Sequence, residues 1–251
     1  MKLRPCCTAS ELAAESEGNW LVFTCDDGLA TDFEIVFPAL VRRGLRGTFF
    51  VTAGNVGKRG YVSVAQLREM AAAGMEVGSH GLSHRYLLTM PWHEAIREIR
   101  ESKANLQEQI GVEVTSFAPV GGHFRKWTFH AAAGAGYRVF ATMIPGRTRG
   151  GEGVLLLRRN HVQAHHDAAY VSNLLRGRPR VELANRLRYC VLQLPKIMLG
   201  MRNYDRLRGC ILGGALGRFR GHAACEKSSS AHEHQQSHGT PDRQSCQNQS
   251  T

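Results

Sequence analysis

The sequence predicts an α/β protein on a largely parallel sheet, and three observations carry that prediction. Short apolar, β-branched runs recur between Leu21 and Leu157. Amphipathic stretches of roughly 10–20 residues separate them, the rhythm of βα units. Polar residues able to do chemistry stand where the runs end, as expected when a cleft forms at the carboxyl ends of parallel strands. The pattern itself leaves open whether the sheet is flat or closed into a barrel.

The elements follow in order. Residues 1–18 read as a polar lead-in. Leu21–Cys25 is a buried-type strand that runs into Asp26, Asp27 and Gly28. Ala30–Arg43 reads as a helix with Ile35, Val36, Ala39 and Leu40 on one face, kinked at Pro38 and stopped at Gly44. Gly47–Ala53 is a second strand. Ser63 is a good N-cap for Val64–Ala73, which Gly74 ends. Met75–Ser79 is a third strand leading into His80. Pro91 suits the first turn of a helix whose stripe is Trp92, Ile96, Ile99, Leu106 and Ile110. Thr115–Val120 is a fourth strand, followed by a glycine-rich turn, a helix near Trp127–Ala133, and strands at Tyr137–Met143 and Val154–Leu157. Beyond Asn160 the rhythm changes to basic helical segments at His165–Leu175, Val181–Leu194 and Met201–Leu216. From His222 the chain is too polar to bury a core, so a disordered tail is expected.

Charge is unevenly placed. The chain carries a formal +11 over 251 residues. Between Leu174 and Gly221, eleven Lys/Arg face only Glu182 and Asp205, so the front of the chain is close to neutral and a nucleic-acid partner is not expected. Apolar residues at Val191, Leu192, Leu194, Ile197, Met198 and Leu199, beside Lys196 and Arg202, suggest peripheral contact with an anionic membrane as an alternative to simple solvated faces. Seven cysteines in no zinc-ribbon or disulfide-framework spacing read as thiols in a reducing compartment. No transmembrane run and no apolar signal region are seen, and the expected location is cytoplasmic or membrane-peripheral.

Asp26 and Asp27 end the first strand, His80 and His84 follow the third, and the turn Pro119-Val-Gly-Gly122 follows the fourth. On one face of a parallel sheet these groups converge. Histidines four apart on a turn can reach one ion, and Asp plus two His with open positions is the composition of a catalytic zinc or related divalent centre. Each pattern alone is common on protein surfaces; their shared place at strand ends makes a site of them.

With these residues in view, the chain resembles the polysaccharide deacetylases, the NodB-homology domain or carbohydrate esterase family 4. Thr24-Cys-Asp-Asp-Gly28 matches T-F-D-D-G, Ser79-His-Gly-Leu-Ser-His84 matches S-H-[ST]-x-x-H, and Phe117-Ala-Pro-Val-Gly-Gly122 is a weaker match to F-R-P-P-x-G. The resemblance implies a distorted (β/α) barrel over residues 19–165; the basic helical segments and the polar tail read above then form an extension over 166–221 and a disordered tail over 222–251. It implies hydrolysis of carbon–nitrogen amide bonds, the N-deacetylation of an acetylated polysaccharide or glycan precursor. It also implies a divalent metal ion, zinc first, with cobalt, nickel or manganese as alternatives. Asp27, His80 and His84 would bind the metal, and Asp26 would be the general base that activates its water. A backbone N–H of the Pro119, Gly121, Gly122 turn would serve the oxyanion.

The departures are informative. Cys25 stands for the usual Phe, Gly121 for an aromatic, and Ala118 for the Arg that orients the base. Arg159 is the candidate to pair with Asp26 in its place. His161 is the first candidate for the general acid, with His123, His165 and His166 as others. A deacylase of a small non-sugar amide, or a non-catalytic glycan- or metal-binding protein on the same scaffold, are the alternatives to be tested.

Overall fold

The structure is a computed structural model and describes residues 5–14, 18–148 and 153–193, with Leu199. Six strands form its sheet: β1 (Phe23–Asp27), β2 (Gly47–Val51), β3 (Glu76–Ser79), β4 (Ser116–Phe117), β5 (Val139–Ala141) and β6 (Leu155–Leu157). They lie in chain order, and each neighbouring pair is parallel. Strands sit about 4.8 Å apart, so in a flat sheet β1 and β6 would be about 24 Å apart. Yet Arg159, two residues past β6, reaches Asp26 in β1 at 2.5 and 2.9 Å. The sheet therefore curls into a distorted barrel with a seam between its first and last strands.

Alternation along the strands sorts the core into two layers. Phe49, Val51, Val77 and Phe140 point outward, where they pack with Leu67, Met70, Ile99 and Leu106 of the surrounding helices. Phe50, Ala118, Val139, Ala141, Leu155 and Leu157 point into the barrel. Room inside is tight: a Cβ on Gly78 would stand 2.6 Å from the Phe50 ring. The helices are α1 (Ala9–Ala14), α2 (Phe37–Val41), α3 (Val64–Ala72), α4 (Trp92–Ile110), α5 (Lys126–Gly134) and α6 (Ala168–Leu175).

Three local outcomes differ from the expected elements. The lead-in contains α1, whose Ala9 is fully buried against the barrel interior; the Ala9 N–H donates to Thr48 Oγ1 (2.9 Å) and the Ser10 N–H to Glu76 Oε2 (3.0 Å). The kinked helix at 30–43 resolves into a π-helical turn, Asp32–Val36, followed by α2. Pro38 has no N–H to give to the carbonyl four residues back, and the Phe37 N–H instead closes the wider loop to Asp32 O. Pro91 is the N-cap of α4 rather than a residue of its first turn. Elsewhere the local signals act as expected: Ser63 and Gln66 form a reciprocal capping box on α3, and Gly111 ends α4 in the left-handed region.

Past α6, residues 179–193 are helical, with Leu183, Leu187, Val191 and Leu192 exposed. Leu199 is exposed as well, while Leu194, Lys196, Ile197, Met198, Arg202, the expected helix Met201–Leu216 and the tail from 222 lie outside the described residues. Among the described residues, no helix is long and apolar enough to cross a membrane.

Candidate metal centre and its surroundings

Asp27, His80 and His84 come together at the carboxyl ends of β1 and β3. Asp27 Oδ1 lies 2.9 Å from His84 Nε2 and 3.4 Å from His80 Nε2, and the three donor atoms fall within 4.8 Å of one another. It is the single such grouping of His, Cys, Asp and Glu among the described residues. His80 is buried, while Asp27 and His84 are each open to solvent on one side. The backbone is bent to make the site: Asp27 (φ 81°) and His84 (φ 58°) are the two non-glycine residues with positive φ among the described ones. Such a conformation costs about 1–2 kcal/mol per residue, a cost that clusters at functional sites.

The ring of His80 is oriented by a neighbour. Its Nδ1 stands 2.8 Å from the carbonyl of Ala118, which can only accept, so Nδ1 carries a proton and Nε2 is the nitrogen turned to the cluster. A carboxylate oxygen and two imidazole nitrogens, one already oriented from behind, form a donor set that suits zinc or a related divalent ion. In the metal-free chain, hydrogen bonds from His80 and His84 outweigh burial and hold Asp27 below the usual carboxylate range. The bond to Asp27 likewise raises His84 above its ordinary value against the opposing pull of burial.

Asp26, one residue earlier, points into the barrel and has a different partner. Both of its oxygens accept from the Arg159 guanidinium in a two-pronged pair, Nη1–Oδ1 2.5 Å and Nη2–Oδ2 2.9 Å. Arg159 is buried and otherwise spoken for: Nε donates to Thr142 O (3.1 Å), and the guanidinium lies 5.2 Å from the centre of the Phe50 ring. Burial pulls the Asp26 pKa upward. The charge and hydrogen bonds of Arg159, helped by His80, outweigh it and hold the carboxyl below its usual range.

The turn after β4 is only partly available. Gly121 and Gly122 both adopt positive φ, 66° and 67°, and neither has space for a side chain: a Cβ would meet Tyr86 or Met143 at under 3.0 Å. The Gly122 N–H already donates to Pro119 O at 2.8 Å. Of the two glycine amides, that leaves Gly121 for an oxyanion. His161 is exposed at the rim, with Nδ1 3.4 Å from Gln163 Nε2. Desolvation pushes its pKa below the ordinary value, Asp26 opposing and Arg159 reinforcing, so its ring feels both charges. His123 packs edge-on against Tyr86, and His165 packs edge-on against His166, which stacks on Tyr170; none of them joins the cluster. Burial, with Asp32 and Asp26 adding to it, pushes the Cys25 thiol up to about 12, which keeps it protonated at neutral pH.

A sequence profile described as polysaccharide deacetylase matches residues 13–140, a little over half of the chain. The chain belongs to the polysaccharide deacetylase family. YxkH of Bacillus subtilis (strain 168), which carries a polysaccharide deacetylase name, is 25% identical over 142 residues, 57% of this chain and 51% of its own. The chain thus spans about half the length of that curated relative. Among solved structures, the Streptococcus pyogenes deacetylase PplD in complex with acetate aligns with a TM-score of 0.60 at 22% identity, covering 66% of this chain and 74% of that one. IcaB from Ammonifex degensii aligns at 0.58 and 23% identity, covering 70% and 77%. At these identities the likeness is one of fold.

Within this family frame, two contributions were not legible in the motifs. Ala118 stands where the family pattern has Arg, and it is the backbone carbonyl at that position that orients His80. Glu98, on α4, accepts hydrogen bonds from the turn between the two histidines. The first could not be read from side-chain identity at all. The second had a signal: Glu98 lies three residues past Ala95 and four before Ser102 on the buried stripe of α4, where a carboxylate needs a reason to be.

Proposed function

We propose that the chain is a metal-dependent hydrolase of carbon–nitrogen amide bonds, an N-deacetylase of an acetylated glycan. Asp27, His80 and His84 hold a divalent ion, zinc first. When bound there, such an ion supplies Lewis acidity, lowering the pKa of water and polarising a carbonyl. Asp26 takes the proton from the attacking water as the water oxygen bonds to the acyl carbon. The Gly121 N–H faces the developing oxyanion. His161 returns a proton to the nitrogen as the C–N bond breaks, so acetate and a free amine leave.

The observation that carries this reading is the division of labour between adjacent carboxylates. Asp27 is turned to the two imidazoles, while Asp26 is clamped by Arg159 on the other side. A protein that merely bound metal would have no use for a second, separately oriented carboxylate. Arg159 acts on the reaction through Asp26, as a positioning residue in place of the arginine missing at Ala118.

Metal-dependent acetate release from N-acetylglucosamine oligomers tests the reading in the wild type and Asp26→Asn. Wild-type release that drops by about 10²–10⁴-fold in the variant, with zinc still bound, is the expected result. Bound metal with no release from any acylated glycan would favour a binding protein. Release confined to small non-sugar amides would keep the chemistry and change the substrate.

A further inference from the structure

One buried carboxylate ties the turn between the two histidines to α4. Glu98 lies on the inner face of α4, in the row of Ala95, Ile99, Ser102 and Leu106, and is 8% exposed. Its Oε2 accepts from the backbone N–H of Leu82 (2.8 Å) and of Ser83 (2.9 Å), and its Oε1 accepts from the Ser83 hydroxyl. One helical turn further along, Ser102 Oγ accepts from Ser79 Oγ (2.8 Å), which itself accepts from the Gly81 N–H (3.2 Å). The other edge of the turn is tied to the segment after β2, where Ala53 N and Gly54 N donate to Gly81 O (3.0 Å) and Leu82 O (2.8 Å).

These bonds fix the backbone from residue 79 to residue 83, immediately ahead of His84. His84 needs that fixing, because it sits at φ 58° and holds its Nε2 at 2.9 Å from Asp27. His80 needs less, since Ala118 O orients its ring independently. We propose that Glu98 is a positioning residue for the metal centre: it gathers three donors of the 82–83 turn and so delivers His84 to Asp27 beside His80. The proposal rests on reading Asp27, His80 and His84 as a metal centre. The chemistry also explains why the residue is Glu. Three donors converge on it from two successive residues, and a carboxylate accepts from all three. A glutamine reproduces most of this, its carbonyl taking the two amides and its NH₂ donating to the Ser83 oxygen. An alanine leaves both buried N–H groups without an acceptor.

The test uses the full chain and Zn²⁺ as the probe, with affinity read by chelator competition. Glu98→Ala is expected to lose about 10–100-fold in zinc affinity and Glu98→Gln to stay close to wild type. In the wild type, the Leu82 and Ser83 amides are expected to exchange hydrogen as slowly as those of α4, with or without zinc. Zinc affinity unchanged in Glu98→Ala overturns the proposal. So does rapid exchange of the two amides in the wild type, a measurement that stands even if Glu98→Ala fails to fold. A loss of affinity in the alanine variant that the glutamine fails to recover assigns Glu98 a different role and likewise overturns it. A wild-type protein that binds no Zn²⁺ overturns the metal centre itself, whereas zinc binding with rapid exchange overturns only the part given to Glu98.

Discussion

Arg159 is the residue on which the chemistry and the architecture meet. Its guanidinium holds both oxygens of Asp26, and its Nε is held in turn by Thr142 O. A lysine can supply the charge but not the fork. Arg159→Ala is expected to lower kcat by about 100-fold or more while leaving zinc affinity within a few-fold of wild type, since Asp27 and the histidines do not touch it. Arg159→Lys should recover part of that loss. Steady-state kinetics beside zinc titration check this, and a fully active Arg159→Ala would remove Arg159 from the site. At this scale the sequence was informative about which side chains meet at the strand ends, Asp27 with His80 and His84, and Asp26 beside them. Arg159 could be read from a vacancy, the Ala118 that stands where an arginine was expected. The Ala118 carbonyl could not be read, because every residue carries one.

Among the elements, the π-helical turn Asp32–Val36 makes a pH-dependent prediction. Asp32 is buried, and one oxygen accepts from the Leu29 N–H at 3.1 Å. Burial drives its pKa up to about 7, against the Leu29 bond and with Asp27 and Asp26 pushing the same way. The unfolded chain releases this proton near the ordinary carboxylate value, so between about pH 4 and about pH 7 the folded state holds a proton that the unfolded state has lost. Stability of the metal-free protein therefore falls as pH rises through that window and levels off above it, by an amount on the order of a few kcal/mol. Asp32→Asn keeps an acceptor for Leu29 and removes the ionisation. Its urea midpoint should change much less between about pH 5 and about pH 8 than that of the wild type; an equal change would acquit Asp32. Strands and long helices were legible as elements because burial marks the sequence, as a continuous β-branched and aromatic run in the fully buried β2 and as a helical stripe in α4. The π-turn was not, since Pro38 announces a kink without saying how the backbone repairs it. Nor was α1, which buries Ala9 and only partly covers Leu12 and Ala13, too little to leave a pattern.

At the scale of the whole molecule, a curled parallel sheet separates stability from chemistry by putting them at opposite ends of the strands. The carboxyl ends carry Asp26, Asp27 and His80. The amino ends are closed by α1 and a polar network centred on Glu76, which accepts from Ser10 N (3.0 Å), Thr48 Oγ1 (2.8 Å) and Ser116 Oγ. Thr48 and Ser116 are fully buried, so removing the carboxylate leaves donors on three elements without their acceptor. Glu76→Ala is expected to lower unfolding free energy by about 2–4 kcal/mol, with the α1 amides becoming the fastest to exchange. Zinc affinity and kcat of the fraction that remains folded should stay near wild type, because the register of β1, β2 and β3 is held by their own ladders. The contrast with Glu98 is the informative part. Both are glutamates that each gather three donors, one at each end of β3. Loss of the lower one should be read in urea denaturation, and loss of the upper one in metal binding. A Glu76→Ala variant that is stable but cannot hold zinc would mean that the two ends are coupled through β3, and that the barrel does not keep its scaffold and its site apart.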